Sequence, residues 1–197
     1  MLLEADDQVD TKFDNAVKVS RLLMEEYIKA GMTAVDMTMG NGKDTLFLLE
    51  CVGKKGFVYA FDIQTQALQK TVERLKNSLF DNYSLINDSH ENCGGYIAGG
   101  TVDVIVFNLG YLPGGNKNIF TRKETTTRAL KSSLELLKPA GVIFLTAYIT
   151  HDSGEEYEYV LNFVRSLPQM KYNTAVVRFE NQINQPPVLI IIEKRNA

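Results

Sequence analysis

The stretch from Ala34 to Leu49 constrains the fold more than any other part of the chain. An apolar run, Ala34 to Met39, leads into a turn that contains Gly40 and Gly42, and a helical pattern follows at once. This order predicts a strand, a tight turn and a helix whose first N–H groups face a bound ligand. The two glycines allow the backbone to approach that ligand closely. A chain built around such a unit is expected to be an α/β protein.

Strand and helix patterns alternate along the chain. Strands are predicted at about 33–39, 57–61, 83–86, 102–107, 142–147, 171–179 and 188–193. Helices are predicted at about 12–30, 64–78, 123–138 and 154–166, and another runs from the glycine turn to about Val52. The segment 91–101 is predicted to be a loop with at most a turn of helix. The central strands are continuous apolar runs, which is typical of a parallel sheet buried on both faces. The last two strands have no helix between them and are expected to form an antiparallel pair at one edge.

Composition bounds the class of protein. The chain has 197 residues, 45% of them hydrophobic and 23% charged, which predicts a single domain, 1–197. Neither a signal peptide nor a membrane-spanning run is expected, and Cys51 and Cys93 fit the reduced thiols of a cytoplasmic protein. The two histidines disfavour a His-rich site, so no metal is expected. The net charge of −3 disfavours nucleic-acid binding over the whole surface, although a local basic patch is compatible with it.

The glycine turn does not fit a dinucleotide. A dinucleotide site expects G-x-G-x-x-G, and here Thr45 takes the place of the third glycine. The acids Asp36 and Asp44 around the turn suit a cationic or zwitterionic ligand better than phosphates. This pattern disfavours a dehydrogenase.

S-adenosylmethionine is such a cationic ligand. Carboxylates suit its sulfonium and ammonium groups, Asp62 suits its ribose, and Asp88 with Ser89 suits its adenine, because these residues end successive strands at the ligand-binding edge. The alternative is that Asp36 and Asp62 only cap strand ends. The predicted cofactor-binding residues are Asp36, Thr38, Gly40, Asn41, Gly42, Asp44, Thr45, Asp62, Ile63, Gln64, Asp88, Ser89, His90, Asn108, Leu109 and Gly110.

Several motifs resemble one family. Residues 36–45 follow its pattern Asp-Ala-Thr-x-Gly-Asn-Gly-x-Asp-Thr, and residues 108–117 follow Asn-Leu-Gly-Tyr-Leu-Pro-Gly-Gly-Asp-Lys with Asn116 in place of Asp. The pattern Tyr-x-Gly-His-x-Gly-Gly is kept in part from Tyr148, with Thr150 and Ser153 in place of glycines. From Phe13 onward the chain resembles the small class I methyltransferases once labelled putative rRNA methylases.

The resemblance implies a fold and an activity. The implied fold is Rossmann-like, with a seven-stranded, mostly parallel sheet, one antiparallel edge strand and helices on both faces. The implied activity is S-adenosylmethionine-dependent methylation of the 5-aminomethyl group of a (2-thio)uridine at the tRNA wobble position, in the anticodon stem-loop. An rRNA substrate, a small-molecule substrate and a non-catalytic nucleotide-binding module are the rival interpretations.

Three residues are predicted to be catalytic: Asn108, Tyr111 and His151. The carbonyl of Asn108 would accept an N–H from the substrate amine and aim its lone pair at the methyl group. Tyr111 would pack on a flat base, and His151 would accept the proton of the ammonium form. The alternatives are that Asn108 only caps a structural turn and that His151 has only a structural role.

The RNA-binding residues are predicted in a basic segment beside the substrate motif. They are Lys117, Arg122, Lys123 and Arg128. Phosphate contacts there would be sensitive to salt. The alternative is a solvated loop and helix face, and the oligomeric state stays open, with a homodimer as one option.

Overall fold

The computed structural model of the protein describes residues 13–116, 118–149, 152–183 and 185–196. Its helices are α1 (Ala16–Tyr27), α2 (Lys43–Val52), α3 (Thr65–Leu75), α4 (Lys123–Leu136) and α5 (Glu155–Arg165). Its strands are β1 (Thr33–Asp36), β2 (Phe57–Phe61), β3 (Tyr83–Ile86), β4 (Val102–Leu109), β5 (Leu137–Ala147), β6 (Tyr172–Val177) and β7 (Val188–Lys194). A short 3-10 helix, His90–Gly95, occupies part of the segment predicted to be a loop.

The strands form one seven-stranded sheet in the order β3-β2-β1-β4-β5-β7-β6. β1, β2, β3, β4 and β5 pair in parallel, and β7 runs antiparallel to both of its neighbours. Strand order reverses between β1 and β4, so a crevice opens beyond their carboxyl ends. The predicted α/β sheet is confirmed, and the glycine turn after β1 lies at this crevice.

The antiparallel pair lies at one edge of the sheet, as the sequence predicted, but β7 is one place inside that edge. It lies between β5 and β6, and the outermost strand, β6, therefore runs parallel to β5. Burial explains the order. Val188, Leu189, Ile190 and Ile192 of β7 are buried, whereas most of β6 is exposed. The more apolar strand takes the inner position because it buries more hydrocarbon surface there.

Helices cover both faces of the sheet. Ala16 and Leu48, from α1 and α2, belong to the apolar cluster on one face. Leu130 and Val160, from α4 and α5, belong to the cluster on the other face. Among the described residues, every helix is too short or too polar to span a bilayer.

The largest differences from the predicted boundaries are at the starts of α1 and β5. Helix α1 was predicted from about 12, which lies outside the described residues, and it starts at Ala16 because Asn15 Oδ1 accepts a hydrogen bond of 2.9 Å from the backbone N–H of Lys18. Strand β5 was predicted from Val142, after a break at Pro139, but it begins at Leu137. Its pairing with β4 shifts register between Val102 and Val104, so the proline is accommodated in a bulge.

Candidate active site

A cleft of about 1090 Å³ opens at the carboxyl ends of β1, β2 and β4. This volume is large for a single small-molecule pocket and leaves room for a cofactor together with part of a substrate. Most of the predicted site residues line it. They are Thr38, Gly40, Asn41, Asp44, Asp62, Ile63, Gln64, Ser89, His90, Asn108, Leu109, Gly110, Tyr111 and Arg122.

The glycine turn forms the floor between β1 and α2. Gly40 and Gly42 have φ values of +52° and +73°, in the left-handed region that favours glycine. At Gly42 a Cβ would also lie 2.7 Å from Thr71 Oγ1 of α3. Gly42 is buried and lies outside the lining of the cleft, so it shapes the turn by letting α2 and α3 approach each other.

Asp62 anchors the turn to the end of β2. Its Oδ2 accepts a hydrogen bond of 3.0 Å from the N–H of Gly40, and its Oδ1 accepts one of 2.9 Å from the N–H of Gln64. Burial raises the pKa of Asp62. Each carboxylate oxygen has a second lone pair, so Asp62 can also accept hydrogen bonds from two hydroxyl groups in the cleft. This donor and acceptor arrangement fits the ribose of the predicted cofactor.

Asp36 and Thr45 form a buried pair below the turn. Asp36 is fully buried, and its carboxylate accepts hydrogen bonds from Thr45 Oγ1 at 2.7 Å and from the N–H of Thr38 at 3.1 Å. Burial, followed by the charge of Asp44, raises the pKa of Asp36 to about 7. Neither Asp36 nor Thr45 lines the cleft. Their position makes them supports of the turn.

Asp88 also lies outside the lining of the cleft, because its oxygens are used locally. It accepts hydrogen bonds from the N–H of Ser89, from Asn92 Nδ2 and from Tyr96 Oη. These bonds lower the pKa of Asp88 and hold the start of the 3-10 helix. Of the residues predicted at the end of β3, Ser89 and His90 face the cleft.

His90 offers a polar atom that the described residues leave without a partner. Its Nε2 is buried and makes no hydrogen bond to them. Its ring packs edge-on against Phe107, with 5.9 Å between the ring centroids. Burial lowers the pKa of His90, which favours the neutral imidazole. Ser89 and His90 line the cleft near Asp62, whose oxygens can accept from hydroxyl groups, so the residues present fit S-adenosylmethionine.

Asn108 is held from both its backbone and its side chain. Its N–H donates to Thr38 Oγ1 at 2.7 Å, and its Nδ2 donates to Asp44 Oδ2 at 2.6 Å. The first contact links β4 to the glycine turn, and the second links it to the first turn of α2. Asn108 is therefore an oriented amide in the lining of the cleft.

A loop after β4 carries the predicted substrate residue Tyr111. Tyr111 pairs with Phe120 in an isolated antiparallel bridge. Thr121 closes the loop, because its Oγ1 accepts from the N–H of Gly110 at 2.8 Å and donates to Glu156 Oε2 at 2.7 Å. Glu156 is 1% exposed, so a buried carboxylate of α5 fixes the shape of this loop.

Sequence reasoning missed several lining residues, including three on α1 and one after β5. Val17, Lys18 and Arg21 of α1 line the cleft, and Tyr148 lines it beside Gly110. The position of Tyr148, directly after β5, is a signal that could have identified it, because the carboxyl ends of parallel strands meet at one edge. The periodicity of α1 gave no comparable signal.

The predicted RNA-binding residues differ in the contacts that they make. Arg122 lines the cleft, with its guanidinium 5.7 Å from the centre of the Phe120 ring. Lys123 forms an ion pair of 2.8 Å with Glu155, and Arg128 forms an ion pair with Glu91. Lys117 and His151 lie outside the described residues. Within the described ranges, no cluster of three or more His, Cys, Asp or Glu residues could hold a metal ion.

Comparisons with known proteins give the family. A family model described as "Putative rRNA methylase" matches residues 58–193. The tRNA (mnm(5)s(2)U34)-methyltransferase, chloroplastic, of Arabidopsis thaliana is 39% identical over 193 residues, which cover 91% of this chain and 69% of that protein. The family match begins within β2 and so leaves out β1, the glycine turn and α2, whereas the match to the Arabidopsis protein covers most of the chain.

Solved structures share the fold. A "putative rRNA-methylase" from Clostridium thermocellum has a TM-score of 0.89 and 42% identity, covering 93% of this chain and 100% of that chain. A "putative methyltransferase" from Streptococcus mutans, in complex with SAH, has a TM-score of 0.83 and 37% identity, covering 91% and 98%. The chain therefore belongs to the putative rRNA methylase family, and the predicted enzyme class, an S-adenosylmethionine-dependent methyltransferase, is confirmed with it.

Proposed function

We propose that this protein methylates the amine of 5-aminomethyl-(2-thio)uridine at the wobble position of tRNA, giving 5-methylaminomethyl-(2-thio)uridine. The observation that carries the proposal is the oriented amide of Asn108, which lines the same cleft as Asp62 and the glycine turn. The name of the Arabidopsis relative supports the choice of substrate.

The cofactor side of the cleft is assigned to the glycine turn and the ends of β2 and β3. Asp62 would accept hydrogen bonds from the ribose hydroxyls, and Ser89 and His90 would contact the adenine. S-adenosylmethionine, when bound, supplies a methyl group whose bond to sulfur breaks as the amine nitrogen takes it up, after which that nitrogen releases one proton.

The substrate side is assigned to Asn108, Tyr111 and Tyr148. The Oδ1 of Asn108 accepts an N–H of the neutral amine and so directs its lone pair, and orientation of this kind contributes up to roughly 7–11 kcal/mol in well-aligned systems. Tyr111 and Tyr148 are 44% and 41% exposed, which leaves ring surface for stacking on a uracil base. His151 as the group that accepts the proton stays a prediction.

Recognition of the anticodon stem-loop is assigned in part to the rim beside Phe120. Arg122 is exposed and lines the cleft, which supports a phosphate contact close to the reacting nucleotide. Lys123 and Arg128 are engaged with acids, so each would have to exchange an acidic partner for a phosphate. The RNA-binding role of Lys117, the cytoplasmic location and the homodimer also stay predictions.

A second candidate substrate is rRNA, which the family description favours. A 62-residue segment is also 36% identical to the ribosomal RNA small subunit methyltransferase H 1 of Lachnoclostridium phytofermentans, but it covers only 17% of that protein. The longer match to the tRNA enzyme makes tRNA the better supported substrate.

The test is methyl incorporation into bulk tRNA from a strain that lacks this methylation, followed by mass analysis of the nucleosides. We expect a new 5-methylaminomethyl-(2-thio)uridine with the wild-type protein and much slower formation of it with Asn108→Ala. Parallel reactions with rRNA from the same strain distinguish the second candidate. Absence of any new methylated wobble nucleoside would defeat the proposal.

A further inference from the structure

The carboxylate of Asp44 contacts two different elements that border the cleft. Its Oδ2 accepts the hydrogen bond of 2.6 Å from Asn108 Nδ2, at the end of β4. Its Oδ1 lies 3.6 Å from Nη2 of Arg21, on α1. Asp44 itself lines the cleft in the first turn of α2. One acid therefore connects the wall of the cleft to the predicted catalytic amide.

The contact with Asp44 selects one orientation of the Asn108 amide. An ionised carboxylate only accepts hydrogen bonds, so it pairs with the NH₂ end of an amide and not with the carbonyl end. Because the amide is planar, its oxygen is then directed away from Asp44. A flipped amide would place two oxygens 2.6 Å apart, which is strongly repulsive. The negative charge also polarises the amide and makes its oxygen a better acceptor.

Arg21 is itself held in place. Its guanidinium lies 4.6 Å from the centre of the Phe47 ring, and Phe47 is 7% exposed. Phe47 follows Asp44 by three residues and so lies on the same side of α2. A stacked guanidinium has fewer accessible positions than a free one. Arg21 therefore restrains the carboxylate that orients Asn108.

We propose that Asp44 is a positioning residue for the substrate amine, restrained by Arg21 and acting through Asn108. The inference rests on the proposed function and deepens it, because it assigns Asp44 to the substrate side of the cleft. Sequence reasoning had assigned Asp44 to the cofactor. A cofactor-binding role predicts weaker cofactor binding when the Asp44 carboxylate is removed. A positioning role predicts unchanged cofactor binding.

The experiment combines SAH binding by calorimetry with single-turnover methylation of tRNA. In Asp44→Ala we expect the methylation rate to fall up to about 100-fold, with SAH affinity unchanged within about twofold. Asp44→Asn keeps an acceptor but can also present its NH₂ end, and its rate should lie between those of Asp44→Ala and wild type. Arg21→Gln should lower the rate less than Asp44→Ala, and Glu26→Gln, an exposed residue of the same helix, serves as the control.

A double-mutant cycle tests whether Asp44 acts through Asn108. In an Asn108→Ala background, Asp44→Ala should have little further effect on the rate. An equal loss in both backgrounds, or a parallel loss of SAH affinity in Asp44→Ala, would overturn the proposal. Retained SAH binding also reports that each variant is folded. If the wild-type protein methylates no wobble uridine, the proposed function fails instead, so the two failures are distinguishable.

Discussion

Asp36 and Asp62 end neighbouring strands, yet only Asp62 lines the cleft. In the sequence both look alike, because each acid lies in an apolar run or directly after one. The difference arises in the turn that follows. After β1 the chain folds back so that Thr45 of α2 meets Asp36 in the core, whereas after β2 the N–H groups of Gly40 and Gln64 hold Asp62 at the edge. Sequence position identifies such acids, but the path of the turn decides which one contacts a ligand.

The buried Asp36 should make stability depend on pH. An unfolded aspartate ionises near pH 4, whereas folded Asp36 keeps its proton up to about pH 7. Between these values the folded state binds more protons, so the free energy of unfolding falls as pH rises, by up to about 1.4 kcal/mol per pH unit. Asp36→Asn removes this titration, and its free energy of unfolding should fall less steeply. Urea unfolding of both proteins at about pH 4.5, 5.5 and 6.5 measures the difference, and equal slopes would contradict a raised pKa.

At the scale of elements, strand positions are the most predictable feature. β2 and β3 begin and end where the sequence predicted, because compact apolar runs are bounded by turn residues. α1 was predicted as a helix, but its contribution of Arg21 and Lys18 to the cleft was not. Helical periodicity in the sequence indicates which face of α1 is apolar. What lies beside the polar face of α1 depends on how the helix crosses the sheet, and periodicity does not show this.

The loop between β4 and α4 should depend on the hydroxyl of Thr121. Thr121→Val removes the bridge between the N–H of Gly110 and the carboxylate of Glu156, and it leaves both without that partner. We expect the free energy of unfolding to fall by about 1–3 kcal/mol. The KM for tRNA should rise while SAH affinity is kept, because the change lies on the substrate side.

A matched control for this loop is Thr127→Val. The hydroxyl of Thr127 donates within α4, to the carbonyl of Lys123. Loss of this hydroxyl should leave the KM for tRNA unchanged. An unchanged KM in Thr121→Val would show that the bridge to Glu156 does not shape the substrate loop.

At the scale of the molecule, the order of the last two strands could not be predicted from pairing signals. A hairpin can add to a sheet through either of its strands, and only the final burial of β7 against β5 decides between the two.

Ion pairs between elements that are distant in sequence could not be predicted either. Lys123, Arg128 and Arg122 read as one basic segment, but Glu155 and Glu91, distant in sequence, pair with the first two.

Global charge makes tRNA binding depend on the few basic groups near the cleft. The net charge is −3, so long-range attraction to a polyanion is weak and local phosphate contacts should dominate. Arg122→Gln should weaken tRNA binding and reduce the slope of log Kd against log salt by about 0.7–0.9, the value of roughly one phosphate contact. Lys123→Gln should change the slope less, because Lys123 is already paired with Glu155. Binding titrations over a range of salt concentrations measure both slopes, and a larger change in Lys123→Gln than in Arg122→Gln would place the phosphate contact on α4 and away from the rim of the cleft.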